Sequence, residues 1–237
     1  NEIDKNIGED ALENEHWAEG SVVELKKIRI KTTEKDALLI VDGTQSVGAY
    51  PLDIQEIKLD ALICAGYKWL LGPYVSGVGY FGEKFDQGTP IEENWINRLD
   101  SHQFENLVNY QPEYKTKANR YSMGEQSNFS GVAMLQKSLE QILDWGVENI
   151  QNYCRQLSKN PLQELLEMDC QVEEEAYRAP HLFGIRLSSK MDMEKLKSNF
   201  EKNNVKISQR GNAIRIAPHV YNNSADFEKL VHCFKHS

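Results

Sequence analysis

The chain has 237 residues, 40% of them hydrophobic, which is ample for one large domain or two smaller ones. A formal net charge of −9 excludes the broad basic footprint of a nucleic-acid binder. No long apolar run or basic amphipathic stretch suggests a membrane.

The opening NEIDKNIGED is polar and acidic, unlike a secretory leader. Cys64, Cys154, Cys170 and Cys233 are scattered, with no Cys-x-x-Cys pair and no His at ligand spacing. That usage points to reduced thiols in the cytoplasm and to no structural metal. Residues 1–36 carry the weakest pattern. Glu13 to Gly20 (ENEHWAEG) reads as a loop, and the stretch from Val23 reads as a helix with Val22, Leu25 and Ile28 on one side. His16 and Trp17 in that loop read as a packed pair.

An apolar run from Ala37 to Val41 ends on Asp42, and a second, Asp60 to Ala65, leads into Gly66, Tyr67 and Lys68. Short runs rich in Leu, Ile and Val and bounded by Asp and Gly read as buried strands of an α/β sheet. Asp42 and Lys68 are therefore expected at strand ends, where open α/β sheets bind ligands. An acid and a lysine brought together there suit pyridoxal 5′-phosphate: its aldehyde takes a lysine amine, and its ring nitrogen needs a carboxylate to stay protonated.

Val78 to Phe81 reads as a strand paired with the one before Lys68, and Gly72, Gly77, Gly79 and Gly82 permit tight turns without forming a phosphate fingerprint. Residues 83–119 read as loops and short helices. From Val132 to Ile150, apolar residues recur every three or four positions, which predicts a long helix punctuated by Gly146 and Pro161. A smaller α/β unit follows, with strands at Phe183 to Leu187, Val205 to Ser208 and Ala213 to Ala217, and a helix marked by Met193, Leu196 and Phe200. The last helix carries Phe227, Leu230, Val231 and Phe234, with Asn223 or Ser224 as its N-cap. Gln171 to Glu175 reads as a solvated acidic surface.

Taken in order, Asp42-Gly-Thr-Gln45-Ser, Pro51-Leu-Asp53, Asp60-Ala-Leu and Gly66-Tyr-Lys68 resemble the cofactor-binding core of class V aminotransferases. That group includes cysteine desulfurases, kynureninase and isopenicillin N epimerase. Asn119-Arg120-Tyr121-Ser-Met-Gly124-Glu125 resembles the family's segment near the cofactor phosphate, with Glu125 where Thr is usual. Asn212-Ala-Ile-Arg215-Ile-Ala-Pro218-His-Val-Tyr221-Asn222 resembles its C-terminal Arg motif.

The resemblance implies an α/β, fold-type-I pyridoxal phosphate protein lacking the family's N-terminal part, which carries the phosphate loop and the aromatic residue stacked on the ring. It implies the remainder of a large, mainly parallel-sheet domain over 1–118, a crossover segment and connecting helix over 119–161, and a small α/β domain over 162–237. Lys68 is then the Schiff-base lysine and the base on the substrate's α-carbon, Asp42 the partner of the ring nitrogen, and Gln45 a donor to the ring oxygen. Tyr67, Gly124 and Glu125 are placed near the phosphate. Arg215 grips the carboxylate of a small amino acid through a bidentate fork. The resemblance further implies a cytoplasmic homodimer. No cysteine lies between Cys170 and Cys233, which disfavours a desulfurase and leaves aminotransferase, epimerase and lyase open. The rival expectation is a truncated, non-catalytic relative that keeps the fold and dimer contacts but binds cofactor weakly.

Overall fold

The structure, a computed structural model, describes residues 9–124 and 127–237. These fall into two compact units. The first holds the stretch ending at Leu12 together with Leu25–Thr44 and Asp53–Leu139; the second holds Glu13–Glu24, Gln45–Leu52 and Glu140–Ser237.

The first unit contains β1 (Glu9–Glu13), α1 (Leu25–Glu34), β2 (Leu38–Asp42), α2 (Ile54–Ile57), β3 (Ala61–Ala65) and β4 (Gly77–Phe81). The strands form one sheet in the order β1-β2-β3-β4. β2 and β3 are parallel, with Val41 opposite Leu62 and Asp42 opposite Ile63. β4 returns antiparallel to β3. Leu39, Val41, Leu62 and Cys64 are buried, whereas Ile63, on the face shared with Asp42, is exposed. The expected strands ending at Asp42 and Ala65 are therefore present, and they run side by side in the same direction.

Asp60 ties this unit together at the entry to β3. Its Oδ2 accepts the Leu39 N–H at 2.8 Å and the Arg29 guanidinium at 2.6 Å, and Lys84 lies 3.3 Å from Oδ1. Burial pushes its carboxyl upward, but the Leu39 N–H and the two cations outweigh that and hold it below the ordinary carboxylate range.

α1 begins at Leu25, later than the periodicity suggested. Val22 lies outside it: its N–H donates to the Tyr177 carbonyl at 2.9 Å, and the residue forms an isolated bridge with Glu15. An extended backbone satisfied in this way has no reason to coil. β1 was not anticipated, because EDALE carries too little apolar alternation to signal a strand.

The expected long helix is two helices, α3 (Phe129–Trp145) and α4 (Val147–Glu167). Gly146, at φ +77°, breaks them apart in a conformation that L side chains rarely adopt. Pro161 instead sits within α4 and does not end it. Ile142 and Ile150 are buried, but Val132 and Leu143 of the same stripe are exposed.

The second unit adds β5 (Gln171–Val172), β6 (Phe183–Arg186), α5 (Met193–Lys202), β7 (Ser208–Arg210), β8 (Ala213–Ile216) and α6 (Ser224–Lys235). Its sheet has the order β5-β6-β8-β7 with every neighbour antiparallel. β7 begins three residues later than the expected Val205–Ser208 strand and shares Ser208 with it. β5 falls within the acidic run read as plain surface, since pairing with Ile185 and Arg186 asks only for backbone. The core joins Phe183, Ile185, Leu196, Phe200, Ile214 and Phe234. Asn223 caps α6 as expected: its side chain accepts the Ala225 N–H at 2.9 Å, and Asp226 reaches back to the Asn223 N–H at 3.2 Å.

Leu196 is fully buried in that core. Leu196→Ala should lower stability by about 2–5 kcal/mol in urea denaturation, with native far-UV circular dichroism retained; a loss near zero would remove Leu196 from the core.

Candidate active site

In the first unit the site grows from the end of β2. Asp42 is exposed, and its Oδ1 accepts the Thr44 N–H at 2.8 Å. The Thr44 hydroxyl oxygen accepts the Ala65 N–H at 3.1 Å, and the Gly43 N–H donates to the Ile63 carbonyl at 2.8 Å. The turn after β2 is thus clipped onto the last residues of β3, and the two carboxyl ends cannot slide apart without losing these bonds.

Lys68 follows β3 in a tight loop. The Gly66 N–H donates to the Ser76 carbonyl at 2.8 Å, the Gly72 N–H to the Gly66 carbonyl at 2.8 Å, and the Leu71 N–H to the Lys68 carbonyl at 3.0 Å. A Cβ at residue 66 would lie 2.8 Å from the Ser76 carbonyl oxygen, so only glycine lets this loop close. Lys68 is exposed and makes no ion pair among the described residues. The Cys64 thiol of β3 is buried. Burial pushes it up to about 11, the Asp42 carboxylate adds to the rise and the Lys68 ammonium opposes it. Asp42 ends β2 and Lys68 follows the end of β3, so both belong to the carboxyl ends of two parallel neighbours.

The remaining sequence-predicted residues of this unit have other partners. The Tyr67 ring stacks on Tyr74, with centroids 4.5 Å apart and planes 15° from parallel. The Gly124 N–H donates to Glu92 Oε2 at 2.7 Å. Glu125 lies outside the described residues. Arg120 is buried and donates to the carbonyls of Gly88 at 2.9 Å and Lys115 at 3.2 Å, while the Tyr121 hydroxyl donates to the Phe85 carbonyl. Arg120 and Tyr121 therefore fasten their segment to the loop before it.

In the second unit, Arg215 stands on β8 between Gly184 of β6 and Ser208 of β7. Its Nη1 donates to the Trp17 carbonyl at 2.9 Å. Burial and then the neighbouring Arg210 cation lower its affinity for a proton.

Gln45 is buried, and its carbonyl accepts the Nε2–H of His181 at 2.8 Å. The other ring nitrogen of His181 lies 2.8 Å from Gln151 Nε2, which also donates to the Ala49 carbonyl. A carbonyl on one side and an amide donor on the other assign the neutral, Nε2-protonated ring. Glu15 Oε2 lies 3.3 Å from that Nε2, and both side chains are fully buried. Burial pushes Glu15 up to about 9. Burial also brings His181 down to about 4, the Gln45 carbonyl opposing the fall and His219 adding to it. The pair is neutral at pH 7, so its 3.3 Å approach is not an ion pair. Neither Glu15 nor His181 stood out in the sequence, where each is a lone polar residue in a loop-like stretch.

The aminotransferase class-V family model matches residues 11–230, and the chain belongs to that family. An uncharacterised aminotransferase of Schizosaccharomyces pombe is 29% identical over 226 residues, covering 91% of this chain and 54% of its own. The uncharacterised aminotransferase YcbU of Bacillus subtilis is 26% identical over 220 residues, covering 91% and 56%. The chain thus spans about half the length of these curated relatives. Among solved structures, a C-DES mutant with glycine covalently linked to its PLP cofactor superposes with a TM-score of 0.84 at 18% identity, over 99% of this chain and 62% of that one. The fold is that of the fold-type-I pyridoxal phosphate enzymes. Among the described residues no helix is long and apolar enough to cross a membrane.

The buried pair gives the second unit a pH dependence whose sign can be worked out. Above the ordinary value of 4.5, folded Glu15 keeps a proton that the unfolded chain gives up, so its contribution is lost as pH rises toward about 9. Between about 4 and 6.5 the unfolded chain takes the His181 proton that the fold refuses, so that contribution grows with pH. The two oppose each other below pH 6.5, and Glu15 alone acts above it. Urea midpoints measured across pH 6.5–9 should fall for the natural chain and flatten for Glu15→Gln. An identical decline in the variant would assign the alkaline loss to another group.

Proposed function

We propose that the whole protein is a pyridoxal 5′-phosphate-dependent enzyme of aminotransferase type that acts on a small amino acid as a cytoplasmic homodimer, with Lys68 holding the cofactor aldehyde. What supports this reading above all is that Asp42 and the Lys68 loop follow the carboxyl ends of two adjacent parallel strands, clipped together by the Thr44–Ala65 hydrogen bond. The donor set fits the cofactor. A carboxylate suits a ring N–H that must stay protonated, and a primary amine suits an aldehyde.

When bound, the cofactor draws electrons from the substrate's α-carbon into its protonated ring. The chain's residues do the rest. Asp42, held at one oxygen by the Thr44 N–H, would keep the proton on the ring nitrogen. The Lys68 amine would move the proton of the α-carbon. On this reading Gln45 would face the ring oxygen and Arg215 would take the substrate carboxylate, the bond from Nη1 to the Trp17 carbonyl fixing the plane of that guanidinium. On the same reading Tyr67, Gly124 and Glu125 would serve the phosphate. Tyr67 is stacked on Tyr74 and the Gly124 N–H is given to Glu92, so the weight of the reading rests on Asp42 and Lys68.

Within the family, a desulfurase is the poorer reading. Such an enzyme needs a mobile, accessible thiol, and all four cysteines are buried. Burial raises the thiols of Cys64, Cys154, Cys170 and Cys233 alike, which disfavours the thiolate.

Incubation with pyridoxal 5′-phosphate and then borohydride should give one dominant mass adduct, on Lys68, that Lys68→Arg removes. Asp42→Ala should weaken cofactor binding at least roughly tenfold, the value of one charge-assisted hydrogen bond. Adducts spread evenly over the exposed lysines would instead favour a non-catalytic relative.

A further inference from the structure

β7 and β8 put two arginines on one face of the second unit's sheet. Ser208 pairs with Arg215 and Arg210 with Ala213, so Arg210 and Arg215 are diagonal neighbours whose side chains leave the same side. Each is partly buried. The Arg210 charge is felt at Arg215, where it adds to burial in making the cation less favourable. Like charges held together in this way call for a counter-charge.

Among the described residues neither guanidinium has a carboxylate partner. Arg215 donates to the Trp17 carbonyl at 2.9 Å, and Arg210 Nη1 donates to the carbonyl of its own neighbour, Gln209, at 2.8 Å. The Nε of Arg210 is buried without an acceptor. The acid on the adjoining loop, Glu19, is paired with Arg186. The Arg210 guanidinium lies 5.4 Å from the centroid of the Trp17 ring, which remains 44% exposed. Among the described residues these two cations thus lack an acid, and the indole beside Arg210 is half exposed.

We propose that the substrate is a dicarboxylic amino acid: Arg215 takes the α-carboxylate, Arg210 takes the side-chain carboxylate, and Trp17 lies against the carbons between them. This rests on the reading of Arg215 given above and sharpens it from any small amino acid to an acidic one. The charges balance, since each guanidinium then meets one carboxylate. An amino acid with a neutral side chain would leave Arg210 uncompensated and its Nε unpaired.

The test is titration calorimetry of the chain with L-glutamate, L-aspartate and L-alanine, repeated for Arg210→Gln, Arg210→Lys and Arg215→Gln. The natural chain should bind the acidic amino acids at least roughly tenfold more tightly than alanine, as one added charge-assisted hydrogen bond implies. Arg210→Gln should erase that preference, and Arg210→Lys should restore part of it, which a merely structural residue would not do. No preference in the natural chain, or a preference that survives Arg210→Gln, overturns the inference. The reading of Arg215 fails separately, if Arg215→Gln leaves alanine binding as it was.

Discussion

The arrangement of the candidate site depends on one short chain of hydrogen bonds, from Asp42 through Thr44 to Ala65. The Thr44 N–H holds the carboxylate, and the Thr44 hydroxyl oxygen accepts from the backbone of the next strand. Through it the parallel register of β2 and β3 becomes a fixed distance between an acid and the loop that carries Lys68. Parallel pairing matters here because it sets two carboxyl ends together, whereas an antiparallel pair would put Asp42 beside the start of its neighbour. The rest of the first unit serves that register. Asp60 anchors the entry to β3 with two cations and a backbone N–H, and Gly66 lets the Lys68 loop fold back against Ser76.

The second unit uses different means to hold its polar groups. His181 is kept neutral by burial, its tautomer set by a carbonyl on one ring nitrogen and an amide donor on the other, and Glu15 beside it keeps its proton. Neutral buried groups avoid the desolvation that an ion pair would suffer there. Gln45 is positioned by this network through its backbone, which connects a loop residue of the cofactor motif to a buried histidine far along the chain. On the sheet of the same unit Arg210 and Arg215 lie on one face with no carboxylate partner among the described residues.

Much of this was legible in the sequence where apolar runs met a chemically distinct residue. Asp42 and Lys68 stand where two such runs end, and Asn223 announces α6 because a cap has a definite side-chain chemistry. What was illegible depends on backbone pairing or on distant partners. β5 and β1 are held by ladder bonds that any side chain permits, and β7 began three residues later than its apolar stretch suggested. Gly146 was legible as punctuation of the helical stripe, while Pro161, named beside it, lies within α4 and ends nothing. Glu15 and His181 signify nothing until folding sets them 3.3 Å apart. The stacking of Tyr67 on Tyr74 and the hold of Glu92 on Gly124 likewise come from loop geometry that no motif encodes.

The central claim is that Asp42 and Lys68 form the two ends of one cofactor site. A crystal structure of the protein soaked with pyridoxal 5′-phosphate tests it most directly. The account predicts density continuous from Lys68 Nζ to the cofactor, with the ring nitrogen within hydrogen-bond reach of the Asp42 carboxylate. Cofactor bound away from Asp42, or attached to a different lysine, would contradict it.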